Sequence, residues 1–371
     1  MKNIYITTFQ DADNYGAMLQ CFALYNALVN KYGNVRVIRY DNREVSSQYK
    51  IIRRPEKNLI KTLYHFLTDL INYGDTKERK LNFDKFRRSI SFTAKIDKID
   101  ELSLEDEDVL ITGSDQVWNP KITKGLDDVY FLRGKKENKK IAYAASCGDV
   151  SVLSGLKNEF KKNILPFSAI SVREKSLSDF IENKIGIKSV VVSDPTLLLS
   201  SKNWRKYVGN SRIMSEKYIF VYSVGNANKL FYETVNKLAK ETGLKIVFFD
   251  KKSIFKRYKK HGIRWYKAGP SEFLNLLYYS ELVITTSFHG FVLSSILNKK
   301  MFVVLSTYPD RILTTAGTFG LNDRIVRDAD KIPKLSIDDI DWSSVNKKID
   351  KVRTDSMKWL LSAIDGDEAR R

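Results

Sequence analysis

Residues 3–40 read NIYITTFQDADNYGAMLQCFALYNALVNKYGNVRVIRY. Asn3 to Thr8 is a short β-like run. A helix follows, with Met18, Phe22, Tyr25, Val29 and Tyr32 on one stripe at helical spacing. Gly33 suits its C-terminal stop. Val35 to Tyr40 is the next strand, so the chain opens as a βαβ unit.

Working outward, Asp41 to about Leu104 reads as a polar, basic insertion with two helical stretches, Leu59 to Tyr73 and Thr76 to Ser89. Strands return at Val109–Thr112, Ile141–Ala145, Ala169–Val172 and Ser189–Val192, with helices expected over Leu153–Leu165 and Ser176–Ile185. Asp194 to about Lys217 reads as a crossing segment. Alternation restarts with strands Tyr218–Tyr222, Lys245–Phe249, Leu282–Thr285 and Met301–Leu305. Helices are expected over Asn228–Thr242, Ser271–Tyr279 and His289–Leu297, and a helical tail over Trp342–Ile364. Such alternation predicts an α/β protein of two Rossmann-like, doubly wound domains with a central cleft. The expected domains are 1–200, carrying the insertion at about 41–104, then 201–340, then a C-terminal helical tail over 341–371.

A chain of 371 residues is long for one core and suits two domains. Its 43% hydrophobic and 29% charged residues fit a globular protein rather than a disordered one. No apolar run approaches the roughly 20 residues that span a bilayer. Met1 to Thr8 starts as a strand without a signal-peptide core, so a cytoplasmic location is expected. Cys21 and Cys147, far apart in apolar contexts, are expected as reduced, buried thiols. Three histidines, His65, His261 and His289, with no C-x-x-C and no H-E-x-x-H, offer no metal site.

The formal charge is +19, which favours anionic partners. Lys50 to Ile90 holds eleven Lys/Arg against five Asp/Glu; Lys251 to Lys267 holds eight and no acid, interleaved with Phe255, Tyr258, Trp265 and Tyr266. These runs are either solvated faces or a surface held at anionic lipid, on the inner face of a membrane. No recognised nucleic-acid module appears, so a nucleic-acid partner is not expected.

The chemistry-bearing segments fall at strand ends, where ligands gather in doubly wound sheets. Asn14-Tyr15-Gly16 opens the first helix as either a phosphate site or an ordinary turn with a cap. Gly113-Ser114-Asp115-Gln116 follows a strand, with Asp115 set for sugar hydroxyls, for proton transfer, or as a helix cap. Ser146 lies in a second small-residue strand end. Arg173 is either a fork for carboxylate or phosphate or a surface ion pair, with Glu174 and Ser176 as helix caps. In Thr285-Thr286-Ser287-Phe288-His289-Gly290 a buried strand runs out into hydroxyls and a histidine at a helix start, suited to phosphate binding or acid/base work. Arg311 and Arg324 follow further on.

Taken together, N-Y-G-A-M-L-Q (14–20), G-S-D-Q-V-W (113–118), S-V-R-E-K-S (171–176), D-P-T (194–196) and S-F-H-G (287–290) resemble the polysaccharide pyruvyl transferase family. The resemblance covers roughly residues 1–330. It implies a GT-B-like pair of Rossmann domains and capsule or exopolysaccharide biosynthesis. It also implies phosphoenolpyruvate as donor, with no other cofactor, and a saccharide acceptor that is lipid-linked in many members. For that chemistry His289 and Asp115 are expected in catalysis; Arg173, Arg311, Arg324, Ser287 and Gly290 at the donor; and Asn14, Tyr15, Gly16, Gly113, Ser114, Gln116 and Ser146 at the acceptor or cleft. Some members carry R-L-H-G where this chain has S-F-H-G, so the positive charge falls to Arg173, Arg311 or Arg324. The alternative on the same fold is a GT-B glycosyltransferase using a nucleotide sugar.

Overall fold

The computed structural model describes residues 2–53, 58–134, 137–225, 227–251, 262–305, 309–329 and 340–366. Two compact units divide the chain. The first is residues 1–48, 88–199 and 350–371; the second is 49–87 and 200–349.

In the first unit the strands are β1 (Ile4–Thr7), β2 (Val35–Tyr40), β3 (Phe92–Ile96), β4 (Val109–Thr112), β5 (Lys139–Ala145), β6 (Ala169–Val172) and β7 (Val190–Val191). They form one parallel sheet in the order β3-β2-β1-β4-β5-β6-β7. β1, β4 and β6 are buried at every position, as expected of parallel strands covered on both faces. The helix Tyr15–Tyr32 is buried continuously from Tyr15 to Tyr25, not only along the Met18–Phe22–Tyr25 stripe. Its N-terminal half is enclosed on all sides, which a one-stripe pattern underestimates.

In the second unit β8 (Tyr218–Tyr222), β9 (Lys245–Phe248), β10 (Ile263–Arg264), β11 (Leu282–Thr285), β12 (Met301–Val304) and β13 (Ile325–Val326) form a second parallel sheet, β10-β9-β8-β11-β12-β13. β8 shows how the two faces are filled. Ile219 and Val221 join Phe231, Val235 and Leu238 of the helix Lys229–Thr242 in an apolar core. The alternate residues Phe220 and Tyr222 meet Phe273 edge-to-face at ring distances of 5.1 and 4.9 Å. That is the period-two alternation of a strand packed on both faces.

Both sheets share the order 3-2-1-4-5-6 over their first six strands, the Rossmann arrangement. The expected two doubly wound α/β domains are therefore present. The strand order reverses between β1 and β4, and between β8 and β11; these are the switch points at whose C-terminal ends doubly wound sheets open a ligand crevice.

The insertion expected over 41–104 is not one piece. Its last part, Phe92–Ile96, is the edge strand β3 of the first sheet, hidden from sequence reading by its short, half-exposed pattern. Its two helices, Leu59–Ile71 and Tyr73–Arg87, belong to the second unit. There Arg79 donates to the carbonyls of Tyr266 and Ala268 at 3.2 Å, and the Asn82 amide donates to the Lys267 carbonyl. Of the basic stretch 251–267, residues 252–261 lie outside the described residues. At its described ends Lys251 pairs with Asp69 at 3.0 Å and Lys267 with Glu78 at 3.1 Å.

The final helix, Trp342–Asp365, contributes its residues from 350 onward to the first unit. Arg353 donates to the Leu197 carbonyl at 2.8 Å, Ser356 accepts from the Ser193 amide at 3.0 Å, and Trp359 packs on Tyr143. Cys21 and Cys147 are both buried and unbridged. Among the described residues no helix is long and apolar enough to cross a membrane, and no acid, His or Cys cluster suits a metal.

A methyl group at Gly269 would stand 2.6 Å from Asn82 Cβ and 2.8–2.9 Å from its backbone. Gly269→Ala is therefore expected to lift the helix Tyr73–Arg87 off the second unit, costing about 1–3 kcal/mol. A thermal melt checks this, and hydrogen exchange should locate the loosened protection in residues 73–87.

Candidate active site

At the crevice of the first unit, side chains of the sequence motifs mostly satisfy backbone groups. Thr8 Oγ1 donates to the Ser114 carbonyl and accepts from Gln20, each at 2.8 Å. Ser114 is fully buried and donates to the Ala144 carbonyl at 2.9 Å. Asn14 caps the helix Tyr15–Tyr32 by accepting from the Ala17 amide, while Tyr15 and Gly16 are buried beneath it. Gln116 accepts from Asn119 at 2.7 Å, and Trp118 lies in the core stacked on Phe131. Gly113 has φ +111°, and a Cβ there would meet the Tyr143 carbonyl oxygen at 2.2 Å, so only glycine fits.

Asp115 is different. It holds a left-handed φ of 79°, uncommon outside glycine and best tolerated by Asp and Asn. The conformation is pinned because its carbonyl accepts from the Ser146 amide at 3.0 Å while Oδ1 accepts from the Gln116 amide at 2.8 Å. Its side chain keeps 16% exposure and lies 3.6 Å from Arg173 Nη2.

Arg173 is not a surface ion pair. Its side chain is 2% exposed and faces three carboxylates: Asp194 at 2.9 Å, Asp115 at 3.6 Å and Glu174 at 3.8 Å. Burial alone would push the guanidinium pKa down; the charges of Glu174, Asp194 and Asp115 outweigh it and hold it above its ordinary value. Asp194 also accepts from the amide and hydroxyl of Thr196, and Ser146 donates to Glu174 at 2.8 Å. Glu174 stands at the start of the next helix but makes no side-chain cap there. A guanidinium ringed by carboxylates attracts a further anion less strongly than an open one, so Arg173 is an ion-pair hub that holds Asp115. Cys147, next to Ser146, is buried, and burial pushes its thiol well above its ordinary pKa, which keeps it out of the nucleophilic thiolate form.

In the second unit the crevice lies between β8 and β11. Thr285 Oγ1 donates to the Tyr222 carbonyl at 2.7 Å and accepts from the Ser287 amide at 2.9 Å. Thr286 Oγ1 accepts from the Val224 amide at 3.0 Å, tying down the loop after β8. Ser287 caps the helix Phe288–Ile296 through the Gly290 amide. A Cβ at Gly290 would stand 2.5 Å from Thr285 Oγ1, so this glycine brings the helix start against the strand end.

His289 sits in the first turn of that helix, half-buried, its ring 5.4 Å from that of Phe288. Arg311 arrives from the helix that follows β12, Asp310–Phe319, and lays its guanidinium 4.9 Å from the centre of the Phe288 ring. The structure thus brings a cation, a histidine and a helix N-terminus to one strand end, a combination that favours an anionic group and can exchange a proton with it. Arg324 is placed elsewhere, beside β13, two strands from β11, where it pairs with Asp323 at 2.8 Å. Sequence reading missed Asp194 as the main partner of Arg173. The available signal was the need of a buried guanidinium for carboxylates at neighbouring strand ends.

Fold and site define a protein of two Rossmann-like units with polar strand ends. The model of the polysaccharide pyruvyl transferases matches residues 14–308, and the chain belongs to that family of transferases. It is a polysaccharide-modifying enzyme acting on a saccharide. No curated protein matches it. Among solved structures, it is similar to UDP-GlcNAc 2-epimerase from Methanocaldococcus jannaschii, at 14% identity and a TM-score of 0.49, over 94% of this chain and 92% of that one. It is also similar to UDP-GlcNAc 2-epimerase from Neisseria meningitidis bound to UDP-GlcNAc, at 10% identity and a TM-score of 0.48, over 99% and 100%. A third is Arabidopsis thaliana UGT89C1 complexed with UDP-L-rhamnose, at 12% identity and a TM-score of 0.48, over 98% of each chain.

Removing Arg173 leaves three carboxylates facing one another without a counter-charge. Arg173→Ala is expected to cost about 3–5 kcal/mol, read as a lowered melting temperature. Arg173→Lys should also melt earlier, because an ammonium cannot span the three partners, while the requirement for donor stays unchanged. A raised donor requirement at unchanged stability would instead make Arg173 a donor clamp.

Proposed function

We propose that the protein transfers a pyruvyl group from phosphoenolpyruvate to a saccharide, forming a cyclic ketal in capsule or exopolysaccharide synthesis. The observation that supports the reading is that His289 and Arg311 both lie against Phe288 at the helix start after β11, at 5.4 and 4.9 Å from its ring. Family membership supports pyruvyl as the group transferred.

The chemistry asks for an acid, a base and a cationic clamp. Protonation of the donor's methylene carbon makes its C2 electrophilic. A sugar hydroxyl adds at C2 and loses its proton, and a second hydroxyl displaces the phosphate and loses its own. The products are the ketal and inorganic phosphate, so atoms balance without a redox step. His289 is assigned to proton transfer and to the departing phosphate. Arg311 and the amides at the start of the helix Phe288–Ile296, around Ser287 and Gly290, are assigned to the donor's negative charge. Where some family members carry an arginine this chain has Ser287, and Arg311 supplies the positive charge from the next helix. Asp115, held by Arg173 and open on one side, is assigned to positioning an acceptor hydroxyl or accepting its proton. The net charge of +19 fits an acceptor presented at an anionic membrane, as a lipid-linked saccharide would be.

Incubation with phosphoenolpyruvate labelled in its carbon skeleton, beside labelled nucleotide sugars, tests the reading directly. Label is expected in the saccharide from the first donor only, with one phosphate released per ketal. Transfer from a nucleotide sugar would make the protein a glycosyltransferase instead.

His289→Ala is expected to reduce turnover by roughly 10²- to 10⁴-fold while the fold survives, since the ring is half-buried and outside the core. His289→Gln should recover some donor binding but little rate, because an amide hydrogen-bonds without carrying a proton. Arg311→Ala should act mainly on the donor requirement. Circular dichroism and steady-state kinetics read these outcomes; a folded His289→Ala enzyme with near-normal transfer would sink the assignment.

A further inference from the structure

The helix Leu59–Ile71 is amphipathic in the opposite sense to a helix that covers a core. Leu59, Ile60, Leu63, Phe66, Leu67 and Leu70 recur at i, i+1, i+4, i+7, i+8 and i+11, one continuous stripe. All six are exposed, from 40% at Leu67 to 82% at Ile60, and Ile71 extends the stripe at 51%. The side turned to the protein is polar: only Thr68 and Asp69 are buried, and Asp69 is wholly so. Asp69 anchors the helix by accepting from the backbone amide and guanidinium of Arg53 and from Lys251, at 2.9–3.1 Å. Burial alone would raise this carboxyl's pKa; the hydrogen bonds from Arg53 and Lys251 outweigh it and hold the group below its ordinary range. An ionic anchor thus holds the apolar stripe outward, where soluble proteins rarely leave a patch of this size.

We infer that this face docks in the interface of an anionic lipid bilayer, with the helix lying in the membrane plane. Charge decides for lipid over a second copy of the chain. The stripe is carried by a segment, Lys50–Ile90, with eleven basic against five acidic residues, in a protein of net charge +19. Lys50, Lys61, Lys77 and Lys80 of that segment are exposed. Pairing two such surfaces brings like charges together, whereas anionic headgroups neutralise them. An interfacial helix of this kind combines a large apolar face with flanking lysines. At 13 residues it is about 20 Å long, enough to lie along the interface but too short to cross. The inference stands independently of the chemistry assigned to His289.

Co-sedimentation of the full chain with vesicles of phosphatidylcholine, alone and mixed with phosphatidylglycerol, tests it. Binding is expected to the mixed vesicles and to weaken with salt. Leu63→Glu with Leu70→Glu should reduce it roughly tenfold or more, at an unchanged melting temperature because both side chains are already exposed. Phe66→Trp is a milder probe: the emission of the added indole, taken as the difference from the parent protein, should shift to the blue on mixed vesicles only. Absence of vesicle binding, or binding indifferent to the glutamates with an indole signal that does not move, overturns the inference. So does a dimer in light scattering that the glutamates dissociate in a protein that does not bind vesicles, which would give the face to a second copy. Pyruvyl transfer to a water-soluble acceptor is expected to survive the glutamates, so failure here and failure of the functional reading are told apart.

Discussion

Buried strand ends must have their backbone polar groups satisfied, and that constraint shapes both crevices. A parallel strand stops contributing to its ladder where the chain turns away, yet here the turn is still inside the protein. Thr285 and Thr286 solve this in the second unit by bonding the Tyr222 carbonyl and the Val224 amide. Thr8, Ser114 and Ser146 solve it in the first, bonding the Ser114 and Ala144 carbonyls and the Gly148 amide. An unmade bond at such a buried group costs about 1–3 kcal/mol. The concentration of Ser and Thr at these ends is therefore a backbone requirement first. The side chains assigned to chemistry, Asp115 in one unit and His289 with Arg311 in the other, are a carboxylate, an imidazole and a guanidinium rather than hydroxyls.

The two crevices differ in electrostatic character. Around Arg173 three carboxylates converge, and their charges hold the guanidinium protonated despite its burial. Such a centre fixes geometry: it ties the end of β6 to the loops after β4 and β7 through single side chains. Around His289 the positive ends dominate, namely a helix N-terminus and a guanidinium over an aromatic face. Coulomb energy alone makes the second setting the more favourable one for an anion. The arginine of the S-V-R-E-K-S motif, read in sequence as either an anion fork or a surface ion pair, is in the fold a buried partner of three carboxylates.

Much of the fold was legible in the chain. The central strands of both sheets stood out as short, continuous apolar runs, because parallel strands are buried on both faces. β3 escaped because an edge strand that is half-exposed carries little apolar signal; the two-residue strands β10 and β13 were not read either, although β7, equally short, was. The path of the insertion escaped for a different reason. Its helices were legible as helices, but their attachment to the second unit depends on Arg79 and Asn82 meeting carbonyls far along the chain, at Ala268 and Lys267. No local pattern encodes such a pairing. At the candidate site the positions of Asp115 and His289 were legible from strand-end placement. The Arg173 hub was not, since three carboxylates have to be brought together before its role is visible.

The helix Leu59–Ile71 shows the same limit from the other side. An amphipathic period tells that a helix has two faces, not which face turns inward. Ordinarily the core settles the matter, because the apolar face finds apolar neighbours to pack on. Here the inward side is held by a single buried carboxylate, Asp69, which engages Arg53 and Lys251. Breaking a buried ion pair by withdrawing one partner costs about 3–5 kcal/mol. Turning the helix over would withdraw Asp69 from both cations at once and press leucines against the polar surface that now receives it. The outward apolar face is therefore built into the electrostatics of the fold. Hydrophobicity alone would have predicted the opposite orientation, and the local ion pairs, not the apolar count, decide what surface the protein presents.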